Sequence, residues 1–321
     1  MRAGDLCLVT GGAGFIGSNL AIALLETGNP VRVFDDLSTG RRSNLDAVSG
    51  DVELVEGDVR DPSALAIAMR GVATVFHEAA IPSVFRSVGD PVSSHEANAT
   101  GTLNVLIAAR DADVERLVYA SSSSVYGNAN VLPVHEELPT WPLSPYGVSK
   151  LAGERYLGAF AATYGMAAVS LRYFNVFGPR QNPEAEYAAV VPRFIARTMD
   201  GERVQIFGDG EQSRDFTFVG DVVGANLAAA DAPEAAWGRA FNVAYGDRHS
   251  VNELLSTIQE LVPGKHPEPE REPPRPGDIR DSQADVSLAR EILGYEPRSS
   301  FSEGLRETVA WFAKLREDAR A

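Results

Sequence analysis

Tyr146 and Lys150, four residues apart in Tyr146-Gly147-Val148-Ser149-Lys150, are the residues of this chain best spaced for proton chemistry on an alcohol. They follow Pro145 at a predicted helix start, and a spacing of four puts both side chains on one helical face. A free tyrosine titrates near ~10, too high to act as a base at neutral pH. A cation ~6 Å away, at an effective dielectric near 20, contributes ~3 kcal/mol, or roughly two pK units. Lys150 is one such cation, and burial works against it. The net effect brings a phenolate within reach of neutrality, where it can take a proton from a hydroxyl. Upstream, Ser121-Ser122-Ser123-Ser124-Val125-Tyr126-Gly127 follows a predicted strand and supplies hydroxyls able to donate to a substrate oxygen. By itself a serine run reads as a polar turn. Behind a nucleotide site, and in this order with the Tyr-Lys pair, it reads as part of a redox centre.

That nucleotide site lies at the other end of the chain. Gly11-Gly12-Ala13-Gly14-Phe15-Ile16-Gly17 joins a strand to a helix. Glycines let such a turn tighten and let its backbone approach a pyrophosphate, which the unpaired N–H groups of the helix start attract. About 20 residues on, Asp35 ends the second strand, where an acid bonds the adenosine ribose hydroxyls. No arginine follows it at once to welcome a 2′-phosphate, Arg41 and Arg42 lying further on, so the dinucleotide is read as NAD rather than NADP. Its oxidised nicotinamide would be a second cation beside Tyr146. Gly57-Asp58-Val59 and His77-Glu78-Ala79-Ala80, at the ends of two further strands, fit adenine and nicotinamide contacts.

The elements that must position these groups alternate. Leu6–Val9, Val31–Phe34, Val52–Val55, Thr74–Phe76 and Leu117–Tyr119 read as strands, and Phe15 to about Glu26 as the first helix. Such alternation implies α/β architecture, a doubly wound parallel sheet covered on both faces. After about Arg180 the texture changes to shorter strands, at Val204–Phe207, Asp215–Val219 and Phe241–Val243, among helices and proline-bearing loops. We therefore expect a dinucleotide-binding Rossmann domain over 1–180 and a smaller C-terminal α/β lobe over 181–321, mainly for substrate, with some segments returning to the first sheet. Pro263–Asp278 carries six prolines and reads as an ordered functional loop. From Ser302 an amphipathic helix is expected, capped by serine, with Leu305, Val309, Phe312 and Leu315 on one face.

Of the 321 residues 44% are apolar, enough for a full core, and no apolar run approaches the ~20 residues that span a bilayer. The N-terminal stretch enters a strand at once, without the longer apolar segment of a secretory signal, and the single cysteine, Cys7, cannot form an internal disulfide. A cytoplasmic location is expected. The net charge of −15 argues against nucleic acid and anionic membranes as partners. An anionic small substrate then requires a few locally concentrated basic residues.

At these residues the sequence resembles the extended short-chain dehydrogenases, and within them the NAD-dependent UDP-sugar 4-epimerases. Further matches are Arg172-Tyr173-Phe174-Asn175-Val176-Phe177-Gly178-Pro179-Arg180, Val204-Gln205-Ile206-Phe207-Gly208, Arg214-Asp215-Phe216 and Arg275-Pro276-Gly277-Asp278. The resemblance implies an isomerase in which Tyr146 is the base, Ser122 its hydrogen-bonding partner on the sugar O4, and Lys150 a tuner of the tyrosine that also holds the nicotinamide ribose. It implies NAD contacts from Gly11, Gly14, Phe15, Ile16, Gly17, Asp35, Asp36, Ser38, Thr39, Gly40, Asp58, Val59, Ala79, Ala80, Asn98, Tyr146, Lys150 and Phe174. Substrate contacts are implied for Ser122, Ser124, Tyr146, Asn175, Val190, Gln205, Ile206, Phe207, Arg214, Arg275, Asp278 and Ser282. Arg214 and Arg275 would bind the diphosphate and so supply the local positive charge that an acidic protein needs. No metal is implied. In the implied mechanism C4 is oxidised to a 4-keto sugar, which rotates about its diphosphate and is re-reduced on the other face. A homodimer through the helices around His95–Arg110 and Ser144–Tyr164 is implied by analogy.

Among relatives, sugar dehydratases carry an Asp-Glu pair just after the catalytic hydroxyl, where this chain has Ser123 and Ser124. A uronate substrate needs a carboxylate partner. Asn182 stands where some uronate epimerases place arginine, while Arg86 keeps a UDP-glucuronate 4-epimerase as an alternative. Ser282, where strictly hexose-selective epimerases have tyrosine, leaves room for a C2 N-acetyl group. A non-catalytic NAD-binding regulator is a further alternative, but such proteins often lose the tyrosine or the lysine, and both are kept here.

Overall fold

The computed structural model describes residues 1–48, 50–184, 189–274 and 279–318. The first strands are β1 (Cys7–Thr10), β2 (Val31–Asp35), β3 (Val52–Glu56), β4 (Thr74–His77), β5 (Arg116–Ser122) and β6 (Ala167–Tyr173). Short strands β7 (Val176–Phe177), β8 (Gln205–Phe207), β9 (Ser213–Arg214) and β10 (Thr217–Phe218) follow, then β11 (Ala240–Val243), β12 (His249–Ser250) and β13 (Glu270–Glu272). The helices are α1 (Phe15–Glu26), α2 (Pro62–Ala68), α3 (Val84–Gly89), α4 (Pro91–His95), α5 (Gly101–Asp111) and α6 (Pro145–Tyr164). After them come α7 (Val190–Met199), α8 (Val219–Ala230), α9 (Val251–Leu261), α10 (Ser287–Leu293) and α11 (Phe301–Asp318). A π-helical turn, Glu96–Thr100, joins α4 to α5.

Seven strands form one parallel sheet in the order β11-β6-β5-β4-β1-β2-β3. Cys7, Leu8 and Val9 in β1 are fully buried, as a strand with helices on both faces requires. The order reverses at β1, whose neighbours β2 and β4 lead away on opposite sides. Open α/β sheets bind ligands at such a switch point, beyond the C-terminal ends of the strands. This is the expected doubly wound architecture.

Segments after Arg180 do return to this sheet: β11 pairs with β6, and α8 packs on α1, β5 and β6. Another part of the C-terminal half builds a second core, in which Phe177, Phe194, Phe216, Phe218, Leu254, Ile258, Phe301 and Phe312 are buried together. Three local expectations change. Asp215–Val219 is not one strand. Asp215 breaks it, its buried carboxylate accepting from the backbone N–H groups of Tyr245, Gly246 and Ala284, and Val219 opens α8. The last helix starts one residue early, at Phe301, under a capping box between Ser300 and Glu303. Leu315 is 47% exposed, because the helix there runs past the core and Arg316 pairs with Asp200 instead.

Behind the sheet ends, Arg172 on β6 and Glu154 on α6 form a two-pronged ion pair at 2.8–2.9 Å, each side chain 6% exposed. Ser121 also donates to Glu154, and Arg172 donates to the Tyr126 hydroxyl. A cavity of about 490 Å³ opens onto this pair and holds none of the expected site residues among its described lining. Removing one member strands a buried charge, so Glu154→Ala should cost about 3–5 kcal/mol. A urea titration should show a midpoint well below the parent's.

Candidate active site

The glycine turn is shaped by close approach. Gly11 has φ +68°, and a Cβ there would sit 2.7 Å from the backbone of Ala79 at the end of β4. A Cβ on Gly17 would lie 2.3 Å from the Gly11 carbonyl, so α1 starts hard against the turn. Gly14 caps α1 with no side-chain acceptor, leaving its first N–H groups for a ligand. Asp35 is buried, and its two oxygens accept from Ala13 N at 2.9 Å and Leu37 N at 2.8 Å. It therefore clamps the turn to β2 and keeps only its remaining lone pairs for other partners. Burial pushes its carboxyl above the usual range. Arg42 pairs with Glu56 and Arg41 with Glu184, so both are engaged by carboxylates.

These groups line a cleft of about 400 Å³. It brings together Gly11, Gly14, Phe15, Ile16, Gly17, Asp35, Asp36, Ser38, Thr39, Asp58, Val59, Ala79, Ala80, Tyr146 and Lys150. Gly40 sits at its rim, packed on Asp35 and Ala13. The Asp58 side chain is held by Arg60, whose charge keeps the carboxyl below its ordinary value. Asn98 is fully buried behind the cleft. It holds Ile81 by both its backbone groups and donates to Ser149, so its side chain braces the wall. His77 is buried as well, between Thr10 at 2.7 Å and Thr102 at 2.9 Å, and burial lowers it to about 3, so it is neutral.

A second cavity, of about 150 Å³, is lined by Ser123, Ser124, Phe174, Asn175, Arg214, Asp281 and Ser282, among others. Its wall continues that of the first cleft, since Ser121 and Tyr173 face one and Ser123 and Phe174 the other, with Ser122 in the chain between. Asn175 has φ +30°, a strained value for a residue with a side chain, and donates to the Asp215 carbonyl at 3.2 Å. Arg214 is held in place by the carbonyls of Ser213 and Arg280. Besides Ser122, which lies between the two, four expected substrate residues line neither cavity. Val190 opens α7, Gln205 and Phe207 lie on β8 beside β13, and Ile206 is 1% exposed in the second core, so its side chain packs rather than binds. Arg275 and Asp278 lie outside the described residues.

On α6, Ser144 caps the helix by accepting from Gly147 N, and Pro145 occupies the first turn. Lys150 is 2% exposed, donates to the Ala120 carbonyl at 2.8 Å and lies 6.0 Å from the centre of the Tyr146 ring. The spacing argument holds, but the expected lowering of Tyr146 does not appear in the protein alone. Burial raises Tyr146, a hydrogen bond with Ser122 lowers it, and the nearby Glu78 carboxylate raises it further. Burial lowers Lys150 to about 8, with Glu78 opposing. Glu78, directly after β4, stands in the sequence only as part of the His77–Ala80 stretch, with no role of its own. It accepts from the Tyr173 hydroxyl at 2.8 Å, and only three-dimensional contact reveals it.

A turn with no room for a Cβ, an uncapped helix start and an acid on the neighbouring strand fit a dinucleotide, and the Tyr-Lys pair at its far end fits a redox reaction on an alcohol. Residues 7–244 match the model of the NAD dependent epimerase/dehydratase family, and the chain belongs to that family. It is an NAD-using enzyme of the extended short-chain dehydrogenase type. It is 42% identical to the UDP-glucose 4-epimerase of Mycolicibacterium smegmatis over 309 residues, 95% of this chain and 97% of that one. Among solved structures it resembles the UDP-glucose 4-epimerase of Thermotoga maritima with UDP-glucose, at 39% identity and a TM-score of 0.92, covering 97% of this chain and 99% of that one. The UDP-N-acetylglucosamine 4-epimerase of Methanobrevibacter ruminantium, in complex with UDP-N-acetylmuramic acid, is 37% identical with a TM-score of 0.92, covering 98% and 100%. Among the described residues, no helix is long and apolar enough to cross a membrane.

Burying Lys150 carries a stability cost whose sign follows from its titration. Its folded pKa lies below the unfolded value of ~10.4, so the cost is full below about pH 8 and vanishes above about pH 10.5. In the cofactor-free protein, Lys150→Met should therefore be more stable than the parent by about 1–2 kcal/mol at pH 7, after allowing for the lost hydrogen bond. Denaturant titrations across pH should show that gain shrinking between pH 8 and 10.5.

Proposed function

We propose that this enzyme inverts C4 of a UDP-hexose, interconverting UDP-glucose with UDP-galactose and accepting the N-acetylated pair as well. The observation that carries this reading is the continuity of the cleft lined by Tyr146 and Lys150 with the cavity lined by Ser123 and Ser124, through Ser122 between them in the chain, with plain serines at 123 and 124 where elimination would need an acid and a base.

Asp35 and Asp58 would hold the adenosine half of NAD, the start of α1 its pyrophosphate, and Tyr146, Lys150 and Ala79–Ala80 its nicotinamide end. Bound there, NAD supplies a reversible acceptor for the C4 hydrogen. Tyr146 takes the O4 proton, Ser122 donates to the oxygen, and Lys150 stabilises the phenolate. The 4-keto sugar turns about its diphosphate, held by Arg214 and Arg275, and Tyr146 returns the proton once the other face of C4 is presented. Asn175 contacts the sugar and Asp278 the uridine ribose. Ser282, which lines the second cavity, leaves space at C2. Arg86 lines the first cleft, so UDP-glucuronate belongs in the same assay.

Tyr146→Phe should lower kcat by on the order of 10²–10⁴-fold on every substrate, followed by chromatographic separation of the sugar products. Turnover by this variant at the parent's rate would overturn the reading. Ser282→Tyr should suppress turnover of the N-acetylated pair and spare the hexose pair. Equal loss on both would remove the gate.

The enzyme acts in the cytoplasm as a homodimer. Support for the dimer comes from Ile107 on α5 and Val148, Tyr156 and Tyr164 on α6, which are 36–53% exposed on the helices of the expected bundle. Light scattering should give twice the 34.4 kDa chain mass, and Val148→Asp should return it to one.

A further inference from the structure

Glu78 occupies a place that the proposed reaction leaves without a task. It follows β4 directly and lines the cleft together with Tyr146, Lys150 and Tyr173. The Tyr173 hydroxyl donates to its Oε1 at 2.8 Å, and Asn226 on α8 donates to that hydroxyl at 2.8 Å. Asn226 is fully buried and is fixed in turn on the Val222 carbonyl. The carboxylate is thus clamped from β6, through a hydroxyl that α8 fixes, and shares the cleft with the two reactive side chains of α6. The same cleft is also lined by Asp35, Asp36, Asp58 and Arg60, and the Tyr119 ring lies 5.1 Å from the Lys150 ammonium. His77, next to it on β4, is neutral, and Arg86 on α3 lines the same cleft.

We propose that Glu78 is a positioning residue that sets the charge of the redox pair, acting as the counter-ion that keeps buried Lys150 protonated. An ammonium 2% exposed, with one carbonyl acceptor and two aromatic rings near it, needs a compensating negative charge. Ser121–Glu154–Arg172 is a closed set behind the sheet, already neutralised within itself, which leaves Glu78 to supply it. Burial pushes Glu78 up to about 7 while Lys150 pulls it down, and Glu78 raises both Lys150 and Tyr146. A negative charge raises the pKa of every group around it, so its removal must move all of them the same way. The catalytic meaning of this role rests on the function proposed above; the charge coupling does not.

The chain has only three lysines, Lys150, Lys265 and Lys314, so each can be followed in protein labelled with ¹³C at lysine Cε. The full-length chain is titrated by NMR with and without NAD. In Glu78→Gln, whose amide oxygen still accepts from Tyr173, Lys150 should titrate at least one pH unit lower, while Lys265 and Lys314 stay where they were. Tyr173→Phe, which removes the clamp but keeps the carboxylate, should move Lys150 in the same direction by less. Glu78→Asp should restore most of the parent's value. In epimerase assays of Glu78→Gln, both limbs of the pH–rate profile should move to lower pH together. An unchanged Lys150 titration in Glu78→Gln would overturn the proposal. So would a uniform fall in kcat with both limbs in place, since that is the mark of a packing role. If no UDP-sugar is turned over yet Lys150 still shifts, the coupling stands and the proposed function falls.

Discussion

A primary ammonium sits almost fully out of water at the centre of this structure, and the surrounding architecture can be read as what makes that placement tolerable. Lys150 finds its acceptor in the Ala120 carbonyl because β5 outruns its neighbour. Its pairing with β4 ends at Tyr119, whereas its pairing with β6 continues to Ser122. Past Tyr119 the strand has no partner on the β4 side, and the opening becomes the cleft. One stagger in strand length thus frees a carbonyl for the lysine and makes room for a ligand above it.

That stagger needs support, since a strand end with one neighbour is prone to fray. It comes from behind. Ser121 is tied to Glu154, Glu154 to Arg172, Arg172 to the Tyr126 hydroxyl, and Tyr126 to Asn242 on β11. The chain of bonds runs through α6, β6 and β11, and it passes directly beneath Ser122. A second brace holds the opposite wall, where Asn98 grips Ile81 and Ser149, and Ser149 donates to the Tyr146 carbonyl. The π turn that carries Asn98 is the irregularity that aims it inward. Tyr146 is therefore fixed in two ways, along its helix by the cap at Ser144 and across it by Asn98.

What could be read from the sequence follows the range of each interaction. The glycine turn, Asp35, and the pairing of Tyr146 with Lys150 are local patterns in which spacing determines geometry, and the first helix and the first four strands fall within a residue of expectation, whereas β5 runs three residues further and β6 was not foreseen. Glu78, Tyr173 and Asn226 are separated by up to 148 positions yet form one bonded chain, and although two of them lie in stretches the sequence marks, no local pattern shows that they meet. Asp215 looked like strand because its neighbours are aromatic and β-branched. Its actual role, gathering N–H groups from residues 245, 246 and 284, is visible only once the chain is folded. Asn98 and Asp35, both expected at the cofactor, have bonds that the sequence does not show. Both spend hydrogen bonds on the protein's own backbone, and sequence does not say which partner a polar atom chooses.

The charge balance of the two cavities then explains how so acidic a protein handles anions. The first cleft is lined by Asp35, Asp36, Asp58 and Glu78 against Arg60, Arg86 and Lys150, and two of those cations are drawn toward the carboxylates, Arg60 by Asp58 and Lys150 by Glu78. Little side-chain positive charge remains there for a pyrophosphate. The attraction has to come from backbone, from the open N–H groups at the start of α1, which carry partial positive charge without a counter-ion. The carboxylates can then be spent on hydroxyls and on the lysine. The second cavity instead carries a guanidinium in its lining, that of Arg214. Two carbonyls hold it, so little side-chain freedom is left for it to lose. A turn of glycines and an anchored arginine thus do the same electrostatic task by different means, and each is found where the local backbone leaves it as the available solution.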